Sequence, residues 1–196
     1  INEEAFGPTH PTIARDVNNL GMVLKDLGDL TGARTAIERA LAIDEAIFGP
    51  THPTVARDVN DLGLVLKDLG DLASAKTAYA RALAIDEAAF GPTHPRVAID
   101  VNNLGMVLKD LGDLANAKAA IERALAISEA TSGYTIPQTA IYVNNLGLIL
   151  QEMNDLAGAK AAYERAYQIL SQLLGDDHPT SRTVRHNLLN IQKQLP

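Results

Sequence analysis

Apolar residues at Ile13, Val17, Leu20, Leu24 and Leu27 recur at spacings of three and four, which gives a helix one apolar face. Pro11 suits the first turn of such a helix, where its missing N–H costs nothing. Gly28 can take the left-handed conformation that ends a helix, and Asp29 can cap the next one. A second stripe follows at Leu30, Ala33, Ile37, Ala40, Leu41 and Ile43, and Phe48-Gly49-Pro50 stops it. The pattern predicts a helix of about 17 residues, a tight turn, a second helix of about 19 and a short loop.

The pattern then returns every 42 residues. His10-Pro11 is followed by His52-Pro53, His94-Pro95, Ile136-Pro137 and His178-Pro179. Residues 10–51 and 52–93 are identical at 33 of 42 positions. A fixed period of this size marks a stacked-repeat protein, which offers a long surface instead of one catalytic pocket. The units are expected at 10–51, 52–93, 94–135 and 136–177, with 178–196 as a C-terminal capping helix. Residues 1–9 match the end of a unit and are expected to be the tail of an upstream truncated repeat. The chain then reads as a fragment of a longer array, or as a design that imitates one.

Substitutions between copies test the hairpin. Gly28, Gly70 and Gly112 share a place with Asn154, the next residue most tolerant of positive φ, and Asp29, Asp71, Asp113 and Asp155 follow. Gly21, Gly63, Gly105 and Gly147 fall inside the first helix of each unit. Glycine there costs roughly 1 kcal/mol against alanine, so a close crossing with the second helix is expected, at Ala33 or Ala40 and their copies. The last helix has Leu189 at this place. With Arg185, His186 and Gln192, residues 180–195 read as a terminal solvating helix.

Composition narrows the function. The chain has 196 residues, a net charge of −7, five histidines and no cysteine or tryptophan. An acidic chain argues against an electrostatic nucleic-acid footprint, and no apolar run is long enough to span a membrane. Disulfides and thiolate metal sites are excluded. The His-Pro histidines sit a whole hairpin apart and cannot share one metal's first shell at ~2.0–2.1 Å, so they read as loop residues at helix starts. Gly49-Pro50 and Gly91-Pro92 are punctuation and make no phosphate loop. Asp44-Glu45 and Asp86-Glu87, on the second helices, are expected to face water. No catalytic residue, cofactor or metal is expected, and the chain reads as non-enzymatic.

Val17-Asn18-Asn19-Leu20-Gly21, then Leu24, Gly28, Leu30, Ala33, Ile37 and Ala40-Leu41, resembles the tetratricopeptide repeat. The usual period of that motif is about 34, and here the second helix is longer. Phe48-Gly49-Pro50-Thr51-His52-Pro53 and the Asn-Asn-Leu-Gly run are similar to the kinesin light chain variety. Two departures stand out. Valine replaces an early aromatic at Val17, Val59, Val101 and Val143, and Leu24, Leu66, Leu108 and Leu150 stand where tyrosine is common. The third junction, Ser132-Gly133-Tyr134-Thr135-Ile136-Pro137, lacks the phenylalanine and histidine, so a local change in packing is expected. The resemblance implies an all-α fold, a right-handed superhelical solenoid of stacked antiparallel helical hairpins, with about four repeats plus a terminal helix. The expected location is the cytoplasm.

In such proteins the first helices line the concave face, and the repeat places ladders on it. One is Asn18, Asn60, Asn102 and Asn144. Beside it run Arg15 and Arg57, then Met22, Leu64, Met106 and Leu148, then Lys25, Lys67, Lys109 and Gln151. Carboxamides can pair with an extended peptide backbone, the basic residues favour an acidic peptide or protein, and methionine and leucine give adaptable apolar contact. The competing account is structural. The asparagines hold neighbouring helices together, and the lysines are neutralised by Asp26, Asp68 and Asp110. The leading expectation is a protein-interaction scaffold. The alternative is self-association through the repeat ends, because head-to-tail stacking propagates.

Overall fold

The computed structural model describes residues 7, 9–132 and 136–194. The expectations for the tail at 1–6 and for Gly133-Tyr134-Thr135 lie outside these residues. The described secondary structure is nine α-helices with no strand. First helices are α1 (Pro11–Asp26), α3 (Pro53–Asp68), α5 (Pro95–Asp110), α7 (Pro137–Glu152) and α9 (Pro179–Gln192). Second helices are α2 (Leu30–Phe48), α4 (Leu72–Phe90), α6 (Leu114–Ser132) and α8 (Leu156–Leu174). The protein is therefore an all-α array of helical hairpins.

Two compact units divide at Pro92 and Thr93. In the first, α1 packs on α2 and α3 on α4, while α2 packs on α3 to join the hairpins. In the second, α5 packs on α6 and α7 on α8, while α6 meets α7 and α8 meets α9. Within the units, α2, α6 and α8 are thus each clasped by their own first helix and by the next one.

Local chemistry sets each boundary. Four first helices begin with a histidine whose ring caps the helix. Nδ1 of His10, His52 and His94 accepts from the backbone N–H two residues on at 3.2 Å, and that of His178 at 3.3 Å. This gives the repeated histidine a structural task. Ile136 at the start of α7 makes no side-chain cap. The Phe48 ring stacks on His52 with centroids 4.7 Å apart, which ties the end of α2 to the start of α3.

The turn inside each hairpin is a reciprocal cap. Gly28, at φ 87°, bonds to the Lys25 carbonyl at 2.9 Å, and Asp29 N–H reaches back to Leu24 O at 2.9 Å. That is the Schellman arrangement, which satisfies the last carbonyls of α1. The Asp29 carboxylate then accepts from Gly32 N–H at 2.9 Å and caps α2. Asn154 carries the same geometry at φ 63°.

The glycines inside the first helices do mark a close crossing, but its partner differs from the expected one. A Cβ on Gly63 would lie 2.8 Å from Tyr79 Cε1, and one on Gly147 would lie 2.6 Å from Tyr163 Cε1. At Gly21 and Gly105 the nearest atoms belong to Ile37 and Ile121, at 2.6 and 2.9 Å. The Ala33 carbonyl also stands 3.1 Å from the Gly21 position, but Ala40 and its copies are not among the nearest neighbours. Clearance is made for the large residue one turn after Ala33, because that side chain points straight at the first helix. At Leu189 of α9 no second helix is packed on this face among the described residues, and the side chain is exposed.

Gly63→Ala is expected to destabilise the protein by about 1–3 kcal/mol through overpacking against Tyr79, despite better helix propensity. In a Tyr79→Ala background the same change should be neutral or stabilising. Urea unfolding of the four variants reads the coupling. His52→Ala should cost about 1 kcal/mol for the lost cap, while the same removal has no counterpart at Ile136.

Candidate binding face on the first helices

Arg15, Asn18, Met22 and Lys25 are spaced by three, four and three along α1, so they share one side of the helix. Arg57, Asn60, Leu64 and Lys67 repeat this on α3. In the second unit Asn102, Met106 and Lys109 do so on α5, and Asn144 and Leu148 on α7. The face is therefore built by helical periodicity, copied helix by helix.

The asparagines do much of their work within the protein. Asn18 is buried, and its Nδ2 donates to Asp61 Oδ2 on α3 at 2.8 Å. Asn102 is also buried and accepts from Asn145 Nδ2 on α7 at 2.8 Å, while donating to Asn103 at 3.2 Å. Asn144 accepts from Asn187 of α9 at 3.0 Å. The bonds to Asp61, Asn145 and Asn187 each join one first helix to the next and span 43 positions. The partners Asp61, Asn145 and Asn187 were not among the residues singled out from sequence. Their signal was present: the position after each ladder asparagine is Asn19, Asp61, Asn103 and Asn145, and Asn187 stands at the same place after His186. Asn60 is half-buried on α3.

The lysines are likewise engaged. Lys25 Nζ lies 3.3 Å from Asp26 and 3.7 Å from Asp68 of α3. Lys109 Nζ lies 2.8 Å from Asp110 and 3.0 Å from Glu152 of α7. Burial works to lower the Lys109 pKa, but hydrogen bonds to the two carboxylates outweigh it and raise the value. These cations bridge neighbouring helices as well as their own aspartates. Lys67 is half-buried at the matching place on α3.

The apolar ladder is half in the core. Met22 packs with Leu24 and Leu62 against Ala33, Ile37 and Val65. Met106 packs with Leu104 and Leu146 over Leu108, Ala117, Ile121 and Ile149. Leu148 lies with Leu188 over Leu150, Tyr163 and Ile191. Leu64 is half-buried.

The arginines stand at the N-terminal end of the face. Arg15 is exposed and paired to Asp16 at 3.2 Å. Arg57 Nη2 reaches Asp58 at 2.6 Å and Asp44 of α2 at 3.5 Å. The two arginines line a cleft of about 240 Å³ with Thr12, Asp44, Phe48 and Thr54. A second cleft of about 400 Å³ lies between α2, α3 and α4, floored by Val59, Leu62 and Leu66 and edged by Arg81.

The second-helix acids are not placed as expected. Asp44 and Asp86 are only 1% and 2% exposed. Glu45 is gripped by Arg81 across α2 and α4, and in the second unit Glu129 is gripped by Arg165 across α6 and α8. The two aspartates therefore do not face water, Asp44 because α2 is covered by both α1 and α3, while Glu45 and Glu87 are half-buried. Among the described residues, no group of three or more His, Cys, Asp or Glu side chains is placed to hold a metal ion. No described helix is long and apolar enough to cross a membrane.

Comparison with known proteins agrees with this architecture. A tetratricopeptide repeat model matches residues 12–88 and 58–130, and a second such model matches 139–180. No curated protein matches the chain. Among solved structures, BtubC (BKLC) from P. vanneervenii is similar with a TM-score of 0.81 at 23% identity, over 93% of this chain and 73% of that one. The nearly identical TPR-like repeats of a Podosopora anserina kinesin light chain-like protein give a TM-score of 0.78 at 20% identity, over 94% and 87%. At these identities the likeness is one of fold.

Asn102→Ala should destabilise the protein by about 1–3 kcal/mol, because it strands the Asn145 amide in a half-buried place. Replacing both Asn102 and Asn145 by alanine should cost less than the sum of the single changes. Thermal unfolding of the double-mutant cycle measures the coupling.

Proposed function

As the chain belongs to the tetratricopeptide repeat family, in a 42-residue form whose fold is that of kinesin light chain-like repeats, we propose that it is a non-catalytic scaffold in the cytoplasm for a peptide or partner protein, held on the first-helix face. Repeat arrays of this kind commonly use such extended surfaces for binding. The observation that carries the reading is the presentation on α1 and α3 of one side that repeats cation, carboxamide and large apolar group in register. On this reading Arg15, Arg57 and Lys67 attract acidic groups, and Met22, Leu64, Met106 and Leu148 supply the apolar contact. Asn60 adds a half-buried carboxamide to the face, and Asn18, Asn102 and Asn144 also hold the helices that carry it. Lys25 and Lys109 tune its charge.

A specific observation also favours self-association. Leu20, Val23 and Leu27 are exposed together on α1. Their copy Val65 on α3 is buried against Ala33 and Ile37 of the neighbouring hairpin. The same kind of contact between two molecules would be heterologous and would propagate.

Selection of a phage-displayed library of acidic peptides against the protein tests the first reading. Charge reversal by Arg15→Glu with Lys67→Glu should weaken the selected peptides at least about tenfold, or roughly 1.4 kcal/mol, and leave helical circular dichroism unchanged. Equal affinity for both forms rejects the reading. For self-association, light scattering should show a mass that climbs with concentration in the unaltered protein and stays flat after Val23→Asp. A mass fixed at 20.9 kDa at all concentrations rejects it.

A further inference from the structure

We propose that Asp44 and Asp58, with Arg57 between them, form a proton-operated latch that joins α2 to α3 and loosens when the shared proton is lost. The two carboxyl groups come from successive hairpins and are 1% and 0% exposed. A single Arg57 nitrogen, Nη2, contacts both, at 3.5 Å from Asp44 and 2.6 Å from Asp58, which brings the two carboxyls together. Arg57 bonds one oxygen of each, Asp58 Oδ1 and Asp44 Oδ2. The other two oxygens, Asp44 Oδ1 and Asp58 Oδ2, are buried without a hydrogen-bond partner among the described residues.

Two ionised carboxylates can only accept, so neither can satisfy the other. One shared proton supplies the missing donor and leaves one carboxylate against one guanidinium. Without it, a net negative charge is left in a buried place, which is costly. Burial pushes the Asp58 carboxyl up to about 7; Arg57 opposes the shift and Asp44 adds to it. The other charged groups around the pair are already committed. From α1, Arg15 lines the same cleft but is paired to Asp16. From α2, Glu45 is held by Arg81 of α4. From α3, Asp61 accepts from Asn18; burial raises its pKa, and Asn18 and Arg57 oppose. Asp44 lines the 240 Å³ cleft, which gives protons a route to the pair.

Other copies show that stacking does not need the acids. At the α6–α7 junction the matching residues are Ser128 and Tyr142, and Ser128 Oγ bonds Thr139 Oγ1 at 2.8 Å. At the α8–α9 junction they are Leu170 and Val184, both buried. The titrating pair is thus a feature of particular copies and not a requirement of the hairpin.

An acid whose folded pKa is raised above its unfolded value of 3.8 makes the folded state bind more protons between the two values. Stability from this source is full below about pH 4, falls up to about pH 7 and is absent above it. Asp86 and Asp100 are also buried, so the latch is read as a difference between variants. Asp58→Asn replaces the shared proton by a permanent N–H. Urea unfolding from about pH 5 to pH 8 should show a smaller loss of stability in Asp58→Asn than in the unaltered protein. At pH 8 the variant should be the more stable of the two. Parallel curves overturn the proposal. Carbon-13 titration of labelled aspartate carboxyls in the unaltered protein decides the matter even if the variant does not fold. The resonance assigned to Asp58 is expected to titrate within about one unit of pH 7, and an Asp58 carboxyl fully ionised by about pH 5 would overturn the latch.

Discussion

A helical hairpin of this sequence cannot bury its own apolar surface, and the rest of the structure follows from that. Val23 on α1 is 54% exposed, whereas its copies Val65 and Ile149 are wholly buried. Val65 sits with Ala33 and Ile37 of the preceding hairpin, and Ile149 with Leu108, Ala117 and Ile121. Burying such a side chain is worth about 1.5–3 kcal/mol. Stability is therefore shared between neighbours, and a first helix has two partners, its own second helix and the one before it. The interior glycine follows from the first of these contacts, since Ile37, Tyr79, Ile121 or Tyr163 fills the space a Cβ would need.

Apolar stacking is non-directional and leaves the register of one hairpin on the next poorly fixed. Polar bonds supply it on both sides of the stack. Along the first helices, Asn18 to Asp61, Asn145 to Asn102 and Asn187 to Asn144 join equivalent places. Along the second helices, Arg81 to Glu45 and Arg165 to Glu129 do the same 36 positions apart. The face proposed for binding is thus also the face that sets hairpin spacing. A ligand that bonds there competes with, or reads, the geometry of the stack.

Near-identical copies have still diverged where they meet. The α2–α3 junction buries two carboxyls beside a half-exposed arginine, the α6–α7 junction a hydroxyl pair beside Tyr142, and the α8–α9 junction two aliphatic side chains with the Ser181 hydroxyl. Burial raises the Tyr142 hydroxyl to about 12, and Ser128 and Thr139 carry no charge, so the three residues at this place are neutral. Burying an uncompensated charge is costly, and the two acids of the α2–α3 junction stand together with Arg57.

Helix type, length, order and period were legible in the sequence because they rest on local rules: spacing of apolar residues, glycine or asparagine where φ is positive, aspartate before a helix, proline at its first turn. The repeat itself gave the family resemblance and the set of residues sharing the first-helix side. The partner of each glycine, the bonding of the asparagines and the burial of Asp44 and Asp86 were decided by tertiary structure. Each depends on which neighbour covers a given side of a helix, and periodicity along one helix carries no information about distance across to another. Histidine at the helix start lies between the two cases. Its spacing was plain, but its role as a cap rests on ring orientation, which at His52 is accompanied by stacking on Phe48.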